Sequence, residues 1–381
     1  MDRNYGLTPE QREIVTAVRA FVADHVRPQI AGFEERKEFL CELFRALGEM
    51  GLAGIPYSEK YGGGDQPFLT YLVVLEELAN GGASLAAGLS VHHLSAFGIH
   101  EFGTDELKEK YLPKLLSGEW LGAYALSEAS SGSDAASLQT QAKPDDGHYV
   151  LSGSKRFISQ AGEADFYLVM ARTGDGSPKG ISAFAVEKGW KGFDFGKLEE
   201  KMGWHASPMR ELLFDGCRVP AENLVGEEGQ GFTVALSALD GGRLGMAAIS
   251  VGLAQVALDT AVAYTKDRSQ FGRPVIDFQG LQFMFADAAT NIEAARRLYR
   301  EAARARDEGA GTSLSCSMAK LFATDMVMRV TTDMVQALGG YGYMKEYNVE
   351  RYMRDAKALQ IVEGTNQVQR MIIGRHLAGT D

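Results

Sequence analysis

Four polar segments, three of them glycine-bearing, interrupt a largely apolar pattern, and they carry the side chains best suited to chemistry. The run Tyr124-Ala125-Leu126-Ser127-Glu128, continuing to Gly132-Ser133-Asp134, offers successive backbone N–H groups and short hydroxyls, which suit the polar edge and pyrophosphate of a flavin nucleotide. Lys155-Arg156-Phe157-Ile158-Ser159 places an aromatic ring and a hydroxyl where they can wall and hydrogen-bond a planar cofactor. Leu239-Asp240-Gly241-Gly242-Arg243 sets an acid and a base three residues apart, on one side of a helix. Its two glycines each cost a helix about 1 kcal/mol against alanine, so something must approach the backbone there. Ile361-Val362-Glu363-Gly364-Thr365-Asn366-Gln367 presents a carboxylate on a glycine turn. Each segment alone has a plainer reading: a connector, strand core, a surface ion pair, and a solvated acid ahead of a Thr365 helix cap.

The elements that must position these segments fall into three zones. Residues 1–120 read as helices. Thr8, Pro9 and Gln11 form a capping box at the first, and Ile14, Val18, Phe21 and Val22 mark its face, with Pro28 near its end. Leu40, Leu43, Phe44, Leu47 and Met50 mark the next helix, with Gly51 as its cap. Phe68 to Ala79 and Leu85 to Phe102 read as two further helices, the latter buried. Residues 121–228 carry short β-rich runs at 148–157, 165–171, 181–187 and 211–219, separated by turn residues, and read as a compact antiparallel β domain. In residues 229–381 the helical period returns. Leu281, Met284 or Phe285, Ala288, Ile292, Ala295 and Tyr299 form one stripe, and Met318, Leu321 or Phe322, Val330, Met334 and Leu338 another, as in a helix bundle.

Composition narrows the function classes. The chain has 381 residues, 45% hydrophobic and 23% charged, with a formal net charge of −11. That charge argues against a nucleic-acid partner and against an anionic membrane surface. Cys41, Cys217 and Cys316 lie far apart without a CxxC pair, so neither a disulfide framework nor a metal site is expected. No apolar run reads as a membrane span and the N-terminus has no signal pattern, so a cytoplasmic or organelle-matrix location is expected.

Taken together and in order, these segments resemble the acyl-CoA dehydrogenase family over essentially the whole chain. The resemblance is carried by Tyr124–Asp134, Phe157–Ser159, Asp240–Arg243, Arg268–Gly272 with Gln279, Gln336-Ala337-Leu338-Gly339-Gly340, and Glu363-Gly364-Thr365. Lys201-Met202-Gly203-Trp204 and Ser317-Met318-Ala319-Lys320-Leu321-Phe322 place it nearest the short-chain and isobutyryl-type branches. The chain departs from the family pattern in reading Ala129-Ser130 where Pro-Gly usually follows the loop glutamate, and Phe157 and Ser159 for a commoner Trp and Thr.

The resemblance implies an N-terminal helical domain, a middle β domain and a C-terminal four-helix bundle, assembled as a homotetramer, a dimer of dimers. It implies FAD as cofactor, an acyl-CoA substrate and electron-transfer flavoprotein as partner. Tyr124, Ala125, Leu126, Ser127, Gly132, Ser133, Phe157, Ile158 and Ser159 would line the flavin of their own subunit. Arg268, Gln270, Phe271, Phe278, Gln279 and Gln336 to Gly340 would reach the neighbour's FAD, and Thr365, Asn366 and Gln367 would close over it. Asp240, Arg243, Ser133, Val362 and Gly364 would contact substrate, with Glu363 as the base that removes the α-proton. Some relatives carry their base immediately before the arginine, and that position is Gly242 here. Val362, where many straight-chain members have Tyr, leaves room for a methyl branch on the acyl group.

Overall fold

The structure, a computed structural model, describes residues 4–311 and 313–379. Six helices come first: α1 (Pro9–Phe21), α2 (Arg27–Arg36), α3 (Cys41–Glu49), α4 (Phe68–Gly81), α5 (Ala83–Phe102) and α6 (Asp105–Leu116). The Thr8 capping box forms as the sequence requires, and Gly51 follows α3 in a left-handed conformation. The first helix does not stop at Pro28. A π-helical turn, Val22–Val26, carries the chain from α1 into α2, with Pro28 in the first turn of α2.

Eight strands follow: β1 (Gly122–Ala125), β2 (Gln141–Asp145), β3 (His148–Ser159), β4 (Phe166–Arg172), β5 (Ile181–Glu187), β6 (Phe193–Phe195), β7 (Met209–Pro220) and β8 (Leu224–Val225). They form one sheet in the order β6-β7-β3-β2-β4-β5-β8, with β1 also paired to β4. The long pairings, β2–β3, β3–β7 and β4–β5, are antiparallel as expected, whereas β1 and β2 run parallel to β4. The parallel register of β1 buries Ala123 and Ala125 and delivers the chain to the Tyr124–Asp134 segment.

The remaining helices are α7 (Gly231–Asp267), α8 (Gln279–Asp307), α9 (Ser313–Leu338), α10 (Val349–Leu359) and α11 (Asn366–Ala378). A small hairpin, β9 (Ser269–Gln270) and β10 (Arg273–Pro274), joins α7 to α8. Helix α7 is the axis of the molecule, in contact with α4, α5, α8, α9 and α10. It corrects one expectation, since by length and composition it could cross a membrane; here its apolar window is mostly buried in protein. Close packing needs its small residues: a Cβ on Gly252 would overlap the Glu76 carbonyl of α4.

The α8 stripe is buried as expected from Phe285 through Tyr299. The α9 stripe holds only in its second half. Val330, Met334 and Leu338 are buried, but Met318 and Phe322 face outward into an apolar groove shared with Met284, Met326 and Ile373. The inward face of that half is Cys316, Ala319, Lys320, Ala323 and Thr324.

Glu76 ties α4 to α8. Its buried carboxylate accepts from Arg296 Nε at 2.9 Å, Arg300 Nη2 at 3.3 Å and the Tyr299 hydroxyl. Glu76→Ala strands two buried guanidinium groups, and is expected to lower unfolding free energy by about 3–5 kcal/mol in a denaturant titration.

Candidate active site

Glu363 sits where α10 hands over to α11. Its backbone is left-handed, φ 53°, and Gly364 follows at φ 86°. A non-glycine residue held there costs of order 1–3 kcal/mol, and such strain persists only where its surroundings enforce it. The enforcement comes from both sides. Thr365 caps α11 by accepting from Val368 N at 3.3 Å, while Gln369 Nε2 donates to Glu363 O at 3.3 Å and to Gly364 O at 2.9 Å. Lys320 Nζ, rising from α9, donates to Gly364 O at 2.9 Å and to Asn366 Oδ1 at 2.8 Å.

This turn drives the Glu363 carboxyl inward onto α7. A Cβ on Gly242 would overlap Glu363 Oε2, lie 2.6 Å from its Cδ and meet Leu94 Cδ2 at 2.9 Å. The close approach that the glycine pair demanded is therefore the approach of the acid itself. Oε2 is buried and has no hydrogen-bond partner among the described residues. Burial pushes the carboxyl up to about 8, against the pull of Lys320 and Arg243. A carboxyl seated in this way holds a proton loosely enough to exchange it near neutral pH.

Arg243 lies beside it, buried, with Nη1 2.6 Å from Asp240 Oδ1 and 2.9 Å from Ser313 Oγ, and with Nε unpartnered among the described residues. Helices α4 and α5 close the other side. Tyr71 and Ser90 are buried there with unpartnered hydroxyls, and a Cβ on Gly245 would meet Ser90 Oγ at 2.9 Å.

The β-sheet contributes the opposite wall. Tyr124 donates to Ala235 O on α7 at 3.2 Å. Beyond it, Ser127 O accepts from Arg156 N at 2.8 Å, and Glu128 pairs with Ser131 in a tight bridge. Glu128 also takes Lys155 Nζ at 2.7 Å, Gln139 N at 2.6 Å and Thr140 N at 2.9 Å. The loop is thus fixed from within, without the Pro-Gly of the family pattern, and Gly132 and Ser133 stay exposed. In the β3–β7 ladder the register breaks between Lys155 and Ile158. Phe157 occupies that break at φ 61° and is 58% exposed, while Ile158 is buried. An aromatic ring thrown off a bulge beside an open loop of N–H donors and hydroxyls fits the face and edge of a flavin.

A second group of expected residues lies elsewhere. Arg268 caps α7 and stacks over Tyr341 at 5.7 Å; Phe271, 93% exposed, meets Phe278 at 6.1 Å; Gln279 opens α8; Gln336 to Leu338 end α9 and Gly339 and Gly340 begin the turn after it. Residues 242 and 268 are 26 apart along α7 and its C-cap, so the two clusters are separated by roughly 39 Å at about 1.5 Å per residue. Asn366 lies at the start of α11, its amide buried among Lys320, Thr324 and Asp325, and its N–H donates to Gln360 O.

Lys320 and Gln369 were not among the expected site residues. Lys320 lies on the buried α9 face with Thr324, Val327 and Thr331, and Gln369 on the buried face of α11.

Comparison with known proteins agrees with this arrangement. The chain matches the acyl-CoA dehydrogenase N-terminal domain at residues 8–119, the middle domain at 123–217 and the C-terminal domain at 229–378. It belongs to the acyl-CoA dehydrogenase family, FAD-dependent oxidoreductases. It is 46% identical to an acyl-CoA dehydrogenase of Bacillus subtilis (strain 168) over 98% of this chain and 99% of that protein. A mitochondrial isobutyryl-CoA dehydrogenase of Dictyostelium discoideum is 43% identical over 99% of this chain and 91% of its own length. The butyryl-CoA dehydrogenase structure from Megasphaera elsdenii superposes with a TM-score of 0.96 at 44% identity, covering 99% of this chain and 100% of that one.

Gly242→Ala is expected to displace the Glu363 carboxyl while leaving the fold intact. A shift of about 1 Å costs on the order of 10²-fold in rate, so the variant should keep its melting temperature within a few degrees yet lose about that much kcat/KM.

Proposed function

We propose that this chain desaturates a short or short-branched acyl-CoA between Cα and Cβ, giving the trans-2-enoyl-CoA, with Glu363 removing the α-proton. The observation that carries the reading is the buried, unpartnered Glu363 Oε2 pressed against Gly242. An α-proton of a thioester is weakly acidic, so its removal needs a desolvated carboxylate aligned with the C–H bond and a donor for the enolate oxygen. No acceptor among the described residues meets the Glu363 N–H, which leaves it to donate to the thioester oxygen. FAD, when bound, supplies the two-electron acceptor for the β-hydride. Tyr124 to Ser133 and Phe157 to Ser159 hold it, and Asp240 and Arg243 face the coenzyme A side of the cleft.

The second cluster, Arg268, Gln270, Phe271, Phe278, Gln279 and Gln336 to Gly340, serves the FAD of a neighbouring subunit. Its distance from Glu363 and its exposure support that reading, and the apolar groove beside Met318 and Phe322 gives the homotetramer a surface to bury. Electron-transfer flavoprotein is the proposed acceptor. Val362, partly buried next to the base, favours isobutyryl- or 2-methylbutyryl-CoA over straight chains.

Three outcomes are expected. Glu363→Gln should bind FAD and develop a charge-transfer band with ligand, yet leave the flavin oxidised in an anaerobic acyl-CoA titration; wild-type-like turnover contradicts the base assignment. Because the base must be ionised and burial raises its proton affinity, kcat/KM should climb about tenfold per pH unit and level off near pH 8. Val362→Tyr should lower kcat/KM for isobutyryl-CoA relative to butyryl-CoA by about tenfold or more, as removing room for one methyl group does.

A further inference from the structure

We infer that Lys320 is a positioning residue for Glu363, holding the Glu363–Gly364 turn from inside the bundle and supplying the buried positive charge that the ionised base needs. The inference rests on the reading of Glu363 as base.

Lys320 is fully buried and makes no salt bridge among the described residues; its ammonium donates only to Gly364 O and Asn366 Oδ1. Gly364 O also accepts from Gln369 Nε2 at 2.9 Å, whereas the single proton of the Thr324 hydroxyl is shared between Lys320 O at 2.8 Å and Asn366 Oδ1 at 3.1 Å. Gly364 O therefore has a neutral donor without Lys320, and what the lysine adds at that turn is charge. An ammonium buried without a carboxylate in contact is costly, and α9 sets it between Ala319 and Ala323 on one side and Thr324 on the other. The nearby anion that offsets it is Glu363, whose attraction raises the ammonium's proton affinity while burial lowers it to about 8.

The other charged and titratable groups facing this pair come from four elements. Arg243 of α7 is already engaged by Asp240, and Asp325 of α9 by Arg370, Gln360 and Asn366. Tyr71 of α4 and Tyr124 of β1 are neutral, with burial raising both phenols. Lys320 is thus a cation bound to the Glu363–Gly364 turn that no carboxylate among the described residues engages. Without it the carboxyl keeps its proton to higher pH and its turn loses one of two inner tethers.

The test compares Lys320→Met, Lys320→Gln and Lys320→Arg as FAD-loaded enzymes with Glu363→Gln as reference, using butyryl- and isobutyryl-CoA. The Met and Gln variants are expected to retain FAD and a KM within about threefold, to lose kcat at least about tenfold at pH 7, and to move the acid limb of kcat/KM upward by about 1 pH unit, the effect of removing a neighbouring opposite charge. Lys320→Arg should recover most of the rate. An unmoved acid limb, or a uniform loss at all pH values with parallel loss of FAD or failure to fold in both neutral variants, overturns the proposal and leaves Lys320 a structural residue. Glu363→Gln separates the two readings: if it is inactive while the Lys320 variants behave like wild type, only the positioning role falls.

Discussion

The contact between the Glu363 carboxyl and the bare backbone of Gly242 governs the site. A carboxyl can be this deeply placed only if α7 lacks a side chain at that point, if the turn at residues 363–364 adopts two successive left-handed conformations, and if something holds that turn from behind. Each requirement is met by a different part of the chain. Helix α7 supplies the glycines, Thr365 and Gln369 fix the start of α11, and Lys320 reaches the turn from α9.

The sheet serves the same cleft from the other side. Its long antiparallel pairings are an ordinary scaffold, but two local irregularities give it function. A register break in β3 throws Phe157 outward, and the internally bridged Glu128 loop holds Gly132 and Ser133 open. Both irregularities cost the sheet regularity and both face the proposed cofactor, which is where local rules are expected to yield to function.

Much of this was legible in residue types and spacing. The capping box at Thr8, the strand at Ile181–Glu187 and the buried stripe of α8 all follow from short-range pattern, and the paired glycines at 241 and 242 correctly announced a close approach. Strands β1, β2, β6 and β8 were missed because they are very short or, in β2, polar with Pro144 near the end, so tertiary pairing decides them. The burial of Glu363 was not legible, since an acid beside glycine and a helix cap reads locally as solvated. Lys320 was not legible because a lysine on a helix reads locally as solvated, and the error in the first half of the α9 stripe followed from reading Met318 and Phe322 as core. Those two side chains face a groove that a single chain leaves uncovered.

The most direct measurement of the central claim is exchange of the acyl-CoA α-hydrogen with heavy water, followed anaerobically by mass spectrometry in the wild type and in Glu363→Gln. The account predicts deuterium entering the α-position with wild-type enzyme and none above background with the variant. Equal exchange in both would show that another group removes the proton, and that the carboxyl resting on Gly242 is not the base.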